Sequence, residues 1–230
     1  MTIAEFFVWN PPGPYLWQLV DGEPQQMAMV NRTHGSLLSE IGSLVANHLD
    51  KRSSPCCVIT MPGIIPRLLL EINIRVADLA ATCTSYETEE SALTDQVLVM
   101  EILSPNNQAV TWPNVRTYTT IPSVREILVL KTVSIGAELL RRNVDGFWPS
   151  PPLSIDAGEL RLESIDFSIP SPPPIGRRGW RRRNSKTPLK RTSAIRGMRC
   201  HVSGKDGRMA KRAKAPLSRA DQSRAAGFDR

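Results

Sequence analysis

The chain has 230 residues, of which 41% are hydrophobic, so it can fill one globular core. Its formal net charge of +7 averages two unlike parts, because residues 1–176 carry 11 Lys and Arg against 19 Asp and Glu, whereas residues 177–230 carry 18 against 3. No run reaches about 18 apolar residues and no signal-peptide pattern opens the chain, which argues against a membrane protein and predicts a soluble protein of the reducing cytoplasm.

The first predicted elements are a short helix and a β-hairpin. Residues 2–7 fit a helix in which Thr2 caps the N-terminus and Glu5 takes the reciprocal capping-box position. An Asp-Gly pair then lies between two strand-like runs, which is typical of a tight hairpin. The predicted hairpin consists of residues 16–20, the turn Asp21-Gly22 and residues 23–29.

The main helix of the core is predicted over residues 31–50. Its apolar residues recur at three- and four-residue spacing, as on the buried face of a helix. His34 lies at the predicted start and His48 on the apolar stripe, so we interpret both as structural rather than catalytic. The stripe consists of Leu37, Leu38, Ile41, Leu44, Val45, His48 and Leu49.

Two strands are predicted next, over residues 56–61 and residues 67–83, and the second is long enough to contain a bend or a bulge. Cys56, Cys57 and Cys83 lie at their ends and are interpreted as small core side chains. The four cysteines of the chain have neither CxxC spacing nor a companion His at zinc-ligand spacing, so no structural zinc is expected.

Asp78 and Glu101 each lie inside a short apolar run rich in β-branched residues, which is typical of a buried strand. A buried carboxylate needs a cation, a hydrogen-bond network or a metal. If the two strands pair, their backbones lie roughly 4.8 Å apart, and both carboxylates could bind one divalent ion. The alternative is that each acid is capped by backbone amides or paired with Arg75 or Arg125.

The remaining elements complete a mixed α/β domain. The acidic stretch with Glu87, Glu89 and Glu90 is predicted to be an exposed loop. A short helix is predicted to begin at Pro113, a favoured first helical residue. The other predictions are the end of that helix at residue 118, strands over residues 127–131 and 137–142, a turn at Asp145-Gly146 and an edge strand over residues 160–169.

The composition changes at the proline-rich residues 170–174, so a single domain is predicted over residues 1–170. Residues 171–230 are rich in Arg, Lys, Ser and Gly and are predicted to be a disordered basic tail. The tail could contact nucleic acid through phosphate charge, with strong salt dependence. Alternatively it is not a functional module, and its composition reflects an altered reading frame or an unconstrained extension.

The order of these motifs resembles the Uma-type restriction endonuclease family, a prokaryotic branch of the PD-(D/E)xK nuclease superfamily. The resemblance covers about residues 1–170 and rests on several motifs in sequence rather than on any one of them. The matching pieces are residues 17–23, His34-Gly35, residues 75–79, residues 101–105 and residues 121–129.

The resemblance implies a restriction-endonuclease-like core, in which helices flank a mixed sheet. It implies a divalent-metal-dependent DNA endonuclease, a hydrolase of phosphodiester bonds, in which Asp78 and Glu101 are the catalytic residues and the ligands of Mg²⁺ or Mn²⁺. It also brings His34 near the site. DNA is the expected partner, and a homodimer is compatible because many nucleases that cut both strands work in pairs.

The lysine of the superfamily motif is missing. The superfamily pattern would place it at Leu103, and in this family the lysine often lies on the next helix, where Asn114 aligns. Asparagine can donate a hydrogen bond but supplies no positive charge to a phosphate. Arg116, Arg125 or Lys131 could take over this role.

Two further positions differ from the family pattern. Ala77 replaces the proline before Asp78, which should matter little to chemistry, and Gln18 replaces a glutamate of the first strand. Together with Asn114, Gln18 leaves a second hypothesis open. In that hypothesis the chain is a catalytically inactive family member that acts as a nucleic-acid-binding or interaction protein.

Overall fold

A mixed β-sheet lies at the centre of the computed structural model, which describes residues 1–85, 92–105, 107–133 and 136–170. The predictions for Glu87, Glu89, Glu90 and the tail fall outside the described residues. The helices are α1 (Ile3–Val8), α2 (Arg32–Lys51) and α3 (Gln108–Tyr118), and a 3-10 turn covers Glu163–Ile165. The strands are β1 (Trp17–Val20), β2 (Glu23–Gln26), β3 (Cys57–Thr60), β4 (Gly63–Ile64), β5 (Arg75–Val76), β6 (Leu79–Thr82), β7 (Gln96–Leu103), β8 (Glu126–Lys131), β9 (Ala137–Arg141), β10 (Leu153–Ile155), β11 (Glu159–Leu162) and β12 (Phe167–Pro170).

The central sheet has six strands in the order β10-β9-β8-β7-β6-β3. Every neighbouring pair is antiparallel except β7 and β8, which are parallel. A parallel pair needs a crossover connection, and α3 lies in that connection. The fold is therefore the mixed α/β architecture that the sequence predicts.

The two faces of the sheet are covered by different helices. On one face, α2 packs Leu37, Ile41, Val45 and Leu49 against alternate residues of β6 and β7, together with the β11–β12 hairpin. On the other face, α3 contributes Val115 and Tyr118 to a second apolar cluster. Strand residues point alternately to the two faces, so the central strands are buried on both sides, as their continuous apolar runs predict.

A smaller group of strands lies beside the main sheet and carries residues that matter for the site. The β1–β2 hairpin turns at Asp21 and Gly22, whose φ angles of 51° and 83° are both positive, as in the turns that suit hairpins. Leu19 of β1 exchanges two backbone hydrogen bonds with Ile74, directly before β5. Arg75 of β5 in turn pairs with β4.

Several predicted elements are confirmed. The Thr2 hydroxyl accepts a hydrogen bond from the Glu5 backbone N–H at 3.3 Å, and the Glu5 carboxylate accepts one from the Thr2 N–H at 2.7 Å, which completes the capping box. The predicted main helix corresponds to α2, with Asn31 as its N-cap. The His48 ring packs edge-on against the Phe167 ring, with 5.2 Å between the ring centroids, which agrees with the structural interpretation of His48.

Three boundary predictions are wrong. Residues 67–83 do not form one strand, because the chain turns around Leu69, where φ is 50°, before the short strands β5 and β6. Residues 160–169 form the β11–β12 hairpin rather than one edge strand, with the turn completed by Asp166 at a φ of 49°. Pro113 lies inside α3, which begins at Gln108, although proline removes one helix hydrogen bond.

The interpretation of Cys56 and Cys83 as unpaired core side chains is also wrong. Their sulfur atoms form a disulfide between the ends of β3 and β6. The register of these strands pairs Cys57 with Thr82, so continuing it by one residue brings Cys56 opposite Cys83. Within the described ranges, no helix has the length and hydropathy needed to cross a lipid bilayer.

Candidate functional site

The two acids singled out in the sequence lie opposite each other on adjacent strands. Leu79 pairs with Met100 in the antiparallel register of β6 and β7, so the next position sets Asp78 across from Glu101. Residues directly opposite on antiparallel strands share a face of the sheet. Both carboxylates are buried, with only 6% and 5% of their residue surface exposed. The sequence therefore identified two acids that converge.

Asp78 is held by one side chain and one backbone group. Its Oδ1 lies 2.8 Å from Nε2 of His34, and its Oδ2 accepts a hydrogen bond from the Ile102 N–H at 2.7 Å. This contact joins the His34 ring directly to one oxygen of the Asp78 carboxyl group. The second hydrogen bond joins Asp78, directly before β6, to the backbone of β7.

His34 reaches Asp78 because of the way α2 begins. The Asn31 side chain accepts a hydrogen bond from the His34 backbone N–H at 2.9 Å, which fixes the first turn of the helix. The N-terminal end of a helix carries partial positive charge, which favours a nearby carboxylate. His34 therefore contacts one of the two acids, which places it near the site as the family resemblance implies.

Glu101 is held from the opposite side by α3. The Tyr118 hydroxyl donates a hydrogen bond to Glu101 Oε1 at 2.9 Å. Burial, and then the negative charge of Asp78, raise the pKa of Glu101 well above its ordinary value, although the Tyr118 hydrogen bond acts in the opposite direction. Burial and the charge of Glu101 likewise raise the pKa of Tyr118, which is buried completely.

The two arginines considered as partners of the acids are placed elsewhere. Arg75 is buried and donates hydrogen bonds to Oδ1 of Asn73 at 2.9 Å and to Oδ1 of Asn114 at 3.3 Å. Arg125 is exposed and lines a separate cleft of about 340 Å³, at the end of β8 away from Glu101. Capping by a backbone amide, one alternative from the sequence, is observed for one oxygen of Asp78. Pairing with Arg75 or Arg125 is observed for neither acid.

The cations proposed to replace the lysine do not gather at the acid pair. Lys131 forms an ion pair with Glu138 at 2.9 Å, and Arg116 is exposed on α3. Asn114 itself is buried, and its side chain faces Arg75. Among the described residues, the cation that contacts Asn114 is Arg75.

Sequence reasoning missed the roles of Tyr118 and Arg75. Each has a feature in the sequence that points to its role once the structure is known. Tyr118 lies one helical turn after Asn114, and Arg75 is a cation inside an apolar strand-like run. Gln18 is also buried, and its Oε1 has no hydrogen-bond partner within the described part of the chain. An amide oxygen buried without a partner is costly.

The residues present fit a hard divalent cation such as Mg²⁺. Mg²⁺ binds proteins through one or two carboxylates and retains several waters, and Asp78 and Glu101 are two adjacent carboxylates. Each oxygen of Asp78 that accepts one hydrogen bond keeps a second acceptor position. A cation between the acids would offset the repulsion that raises the pKa of Glu101. Larger groups, of three or more His, Cys, Asp and Glu side chains suited to a metal, are not found in the described ranges.

Comparison with known proteins gives one family. A family model described as "Uma2: Putative restriction endonuclease" matches residues 3–169. The match begins at α1 and ends within β12, so it spans all the helices and strands described above.

Two individual proteins resemble the same part of the chain. The "Uncharacterized protein slr1290" of Synechocystis sp. (strain ATCC 27184 / PCC 6803 / Kazusa) is 24% identical over 172 residues, which cover 74% of this chain and 88% of that protein. The crystal structure of "a putative nuclease belonging to DUF820" from Anabaena variabilis ATCC 29413 superposes with a TM-score of 0.57 at 16% identity, covering 72% of this chain and 91% of the other. The second comparison shows a shared fold.

Proposed function

The chain belongs to the Uma2 restriction endonuclease family, and on that premise we propose that it is a divalent-metal-dependent endonuclease that hydrolyses phosphodiester bonds of DNA. The observation that carries the proposal is the buried, adjacent pair Asp78 and Glu101. A raised carboxylate pKa beside a like charge is common at functional sites, and here it marks a place where a cation is favoured.

In this proposal Asp78 and Glu101 hold Mg²⁺ or Mn²⁺ and are the catalytic residues. When bound, such an ion polarises a phosphoryl oxygen and lowers the pKa of water. His34 and Tyr118 fix the orientation of the two carboxylates through their hydrogen bonds at 2.8 and 2.9 Å. Residues that hold ligands in this way usually affect metal affinity strongly.

DNA as substrate follows from the family and requires local positive charge. Residues 1–176 carry 19 acidic against 11 basic residues, so the domain as a whole repels a polyanion. Phosphate must then be neutralised locally, by the metal and by nearby cations. This requirement is consistent with a site in which two acids recruit a divalent ion.

The experiment is a nicking assay with the full chain, supercoiled plasmid DNA and either Mg²⁺ or Mn²⁺. Asp78→Asn and Glu101→Gln keep the shape of each side chain and remove its charge, so we expect each to reduce cleavage by at least about 100-fold. Asn at position 78 retains an acceptor for the Ile102 N–H, which makes it a better test than alanine. Glu138→Gln, which changes a carboxylate on β9, is the matched control.

Cleavage that persists in both acid variants would contradict the proposal. So would a wild-type chain that gives no nicking above background at any metal concentration. A wild-type preparation that nicks DNA only until EDTA is added, and whose acid variants are inactive but folded, is the expected result.

The second candidate is an inactive family member that binds nucleic acid or another partner. Its supporting observation is that the lysine position is occupied by Asn114, a neutral and buried side chain. This candidate predicts DNA binding that is equal with and without metal, and no cleavage. If binding is lost when residues 171–230 are deleted, the binding resides in the tail rather than in the domain.

A further inference from the structure

Arg75 is a buried cation whose hydrogen bonds are incomplete. Only 5% of its residue surface is exposed, and within the described residues its Nε has no hydrogen-bond partner. A guanidinium group has five N–H donors. Burying the group while some of these donors lack a hydrogen-bond acceptor costs free energy. Such a group is informative because proteins rarely retain it without a function.

Little negative charge lies close to the Arg75 guanidinium group. Its ion-pair partner in the described residues is Asp21, at 3.7 Å, and 60% of that side chain is exposed to solvent. An exposed carboxylate at this distance is largely screened by water. The two shorter contacts go to the neutral amides of Asn73 and Asn114. The positive charge of Arg75 is thus held in place but only partly compensated.

Arg75 points to the same part of the molecule as the acid pair. Asn114 and Tyr118 lie four residues apart, on one side of α3. Arg75 contacts Asn114, and Tyr118, one turn further along α3, donates its hydrogen bond to Glu101. The guanidinium group therefore contacts the side chain at the position where the family resemblance expects a lysine.

We propose that Arg75 binds the scissile phosphate and supplies the positive charge that is missing at Asn114. This inference rests on the proposed endonuclease function. In the hydrolysis, a bond forms between a water oxygen and phosphorus while the ester P–O bond breaks. The attacking water loses one proton to the solvent, the departing ester oxygen takes one up to become a hydroxyl group, and Arg75 keeps all its protons throughout. Its planar fork of donors matches two phosphate oxygens, and it contributes by stabilising their charge.

The competing explanation is that Arg75 only connects β5 to the β1–β2 turn. Asn73 accepts hydrogen bonds from both Arg75 and the Asp21 N–H, and its own amide group donates to the Asp21 carboxylate at 3.0 Å. That network fixes the turn through Asn73 whether or not Arg75 is charged. A structural role thus needs the shape of Arg75, whereas the proposed role needs its charge near position 114.

The test moves the charge from one residue to the other in the full chain. Arg75→Met removes the guanidinium group with its charge and keeps an unbranched apolar side chain, and we expect at least about a 100-fold loss of plasmid nicking. Adding Asn114→Lys to that variant should recover at least about tenfold, because the lysine returns a cation to the same place. Arg116→Met, an exposed position on the same helix, is the control and should cleave like the wild type.

A second measurement does not depend on cleavage. Fluorescence anisotropy of a labelled DNA duplex in EDTA reports binding without metal. Arg75→Met should weaken binding and reduce the slope of log K against log salt by about 1, as expected when one phosphate contact is lost. Arg75→Met with Asn114→Lys should restore the slope, and circular dichroism would check that each variant is folded.

Each outcome separates this inference from the proposed function. If Arg75→Met cleaves normally while Asp78→Asn and Glu101→Gln do not, Arg75 is not a phosphate ligand and the endonuclease proposal stands. A loss in Arg75→Met that Asn114→Lys does not reverse, with DNA binding unchanged, shows a structural role and overturns the inference. If the wild type never cleaves, the endonuclease proposal fails, and an Arg75→Met variant with unchanged DNA binding overturns the Arg75 inference as well.

Discussion

At the scale of single residues, the site is a line of buried polar side chains rather than an isolated acid pair. His34 contacts Asp78, Asp78 lies opposite Glu101, and Glu101 accepts a hydrogen bond from Tyr118. The sequence could identify the acids because a carboxylate inside an apolar run is unusual. The family resemblance also implied His34 near the site, but Tyr118 as the partner of Glu101 could not be identified, because that contact depends on how α3 packs on the sheet.

Glu101 makes the stability of the metal-free protein depend on pH. In the unfolded chain its carboxyl group loses its proton near the ordinary pKa of 4.5, whereas the raised pKa in the fold keeps the proton to higher pH. Between these two values the unfolded state binds fewer protons, so the free energy of unfolding decreases as pH rises. The contribution is complete below the ordinary pKa and is lost through the raised pKa.

We therefore expect Glu101→Gln to raise the melting temperature of the metal-free protein at pH 8 and to flatten its decrease with pH. Differential scanning fluorimetry in EDTA between pH 5 and pH 9 would measure this. Glu138→Gln, which changes a partly exposed carboxylate, is the control. An unchanged pH profile in Glu101→Gln would contradict the assignment of the raised pKa to Glu101.

Tyr118→Phe removes the hydrogen bond that opposes the rise in the pKa of Glu101. The pKa of Glu101 should rise further, so the acidic limb of the pH–cleavage profile should move to higher pH. The lost hydrogen bond to a buried carboxylate should also cost about 1–3 kcal/mol in urea unfolding. Tyr15→Phe, at an exposed position, should change neither quantity.

At the scale of elements, the sequence was accurate where local signals decide the structure. The Thr2 capping box, the Asp21-Gly22 turn and the apolar stripe of α2 are all short-range patterns. Within the stripe the prediction is wrong for Leu44, which is exposed. It was inaccurate where two rules compete. Pro113 is a typical first residue of a helix, yet α3 begins at Gln108, because the Val110 and Thr111 N–H groups already donate helical hydrogen bonds to the Asn107 carbonyl before the proline.

Asn31→Ala tests how α2 supports the site. Removing the cap of His34 should cost about 1 kcal/mol in urea unfolding. It should also reduce cleavage, because the His34 ring would be held less firmly against Asp78. Asn31→Asp keeps a capping oxygen and should preserve both quantities. Equal cleavage in Asn31→Ala and the wild type would show that the helix start does not position His34.

At the scale of the whole molecule, the family match and the last strand end together. The family model reaches residue 169 and β12 ends at Pro170, next to the predicted domain boundary. The architecture could be predicted from the family resemblance. Its division into a main sheet and small hairpins could not, since turns with positive φ at Leu69 and Asp166 have no glycine to mark them.

A chain of residues 1–170 should fold on its own. We expect its melting temperature to lie within a few degrees of the full chain, because the described core ends with β12. Its DNA binding should show a smaller salt dependence, since residues 177–230 carry 18 basic residues. Fluorimetry and anisotropy would measure these quantities, and a truncated chain that is unfolded would contradict the predicted boundary.

The sequence separation between the contacting residues of the site also affects how the molecule folds. The contacts that build the site join residues 17 to 44 positions apart, from Tyr118 with Glu101 to His34 with Asp78. Contacts between distant parts of a chain form slowly, since the intervening loop must close first. During synthesis or refolding, α2 should gain helical structure well before the acids meet. The chain then passes through early folding states in which Asp78 and Glu101 are apart, so the proposed catalytic pair forms only when β6 and β7 pair.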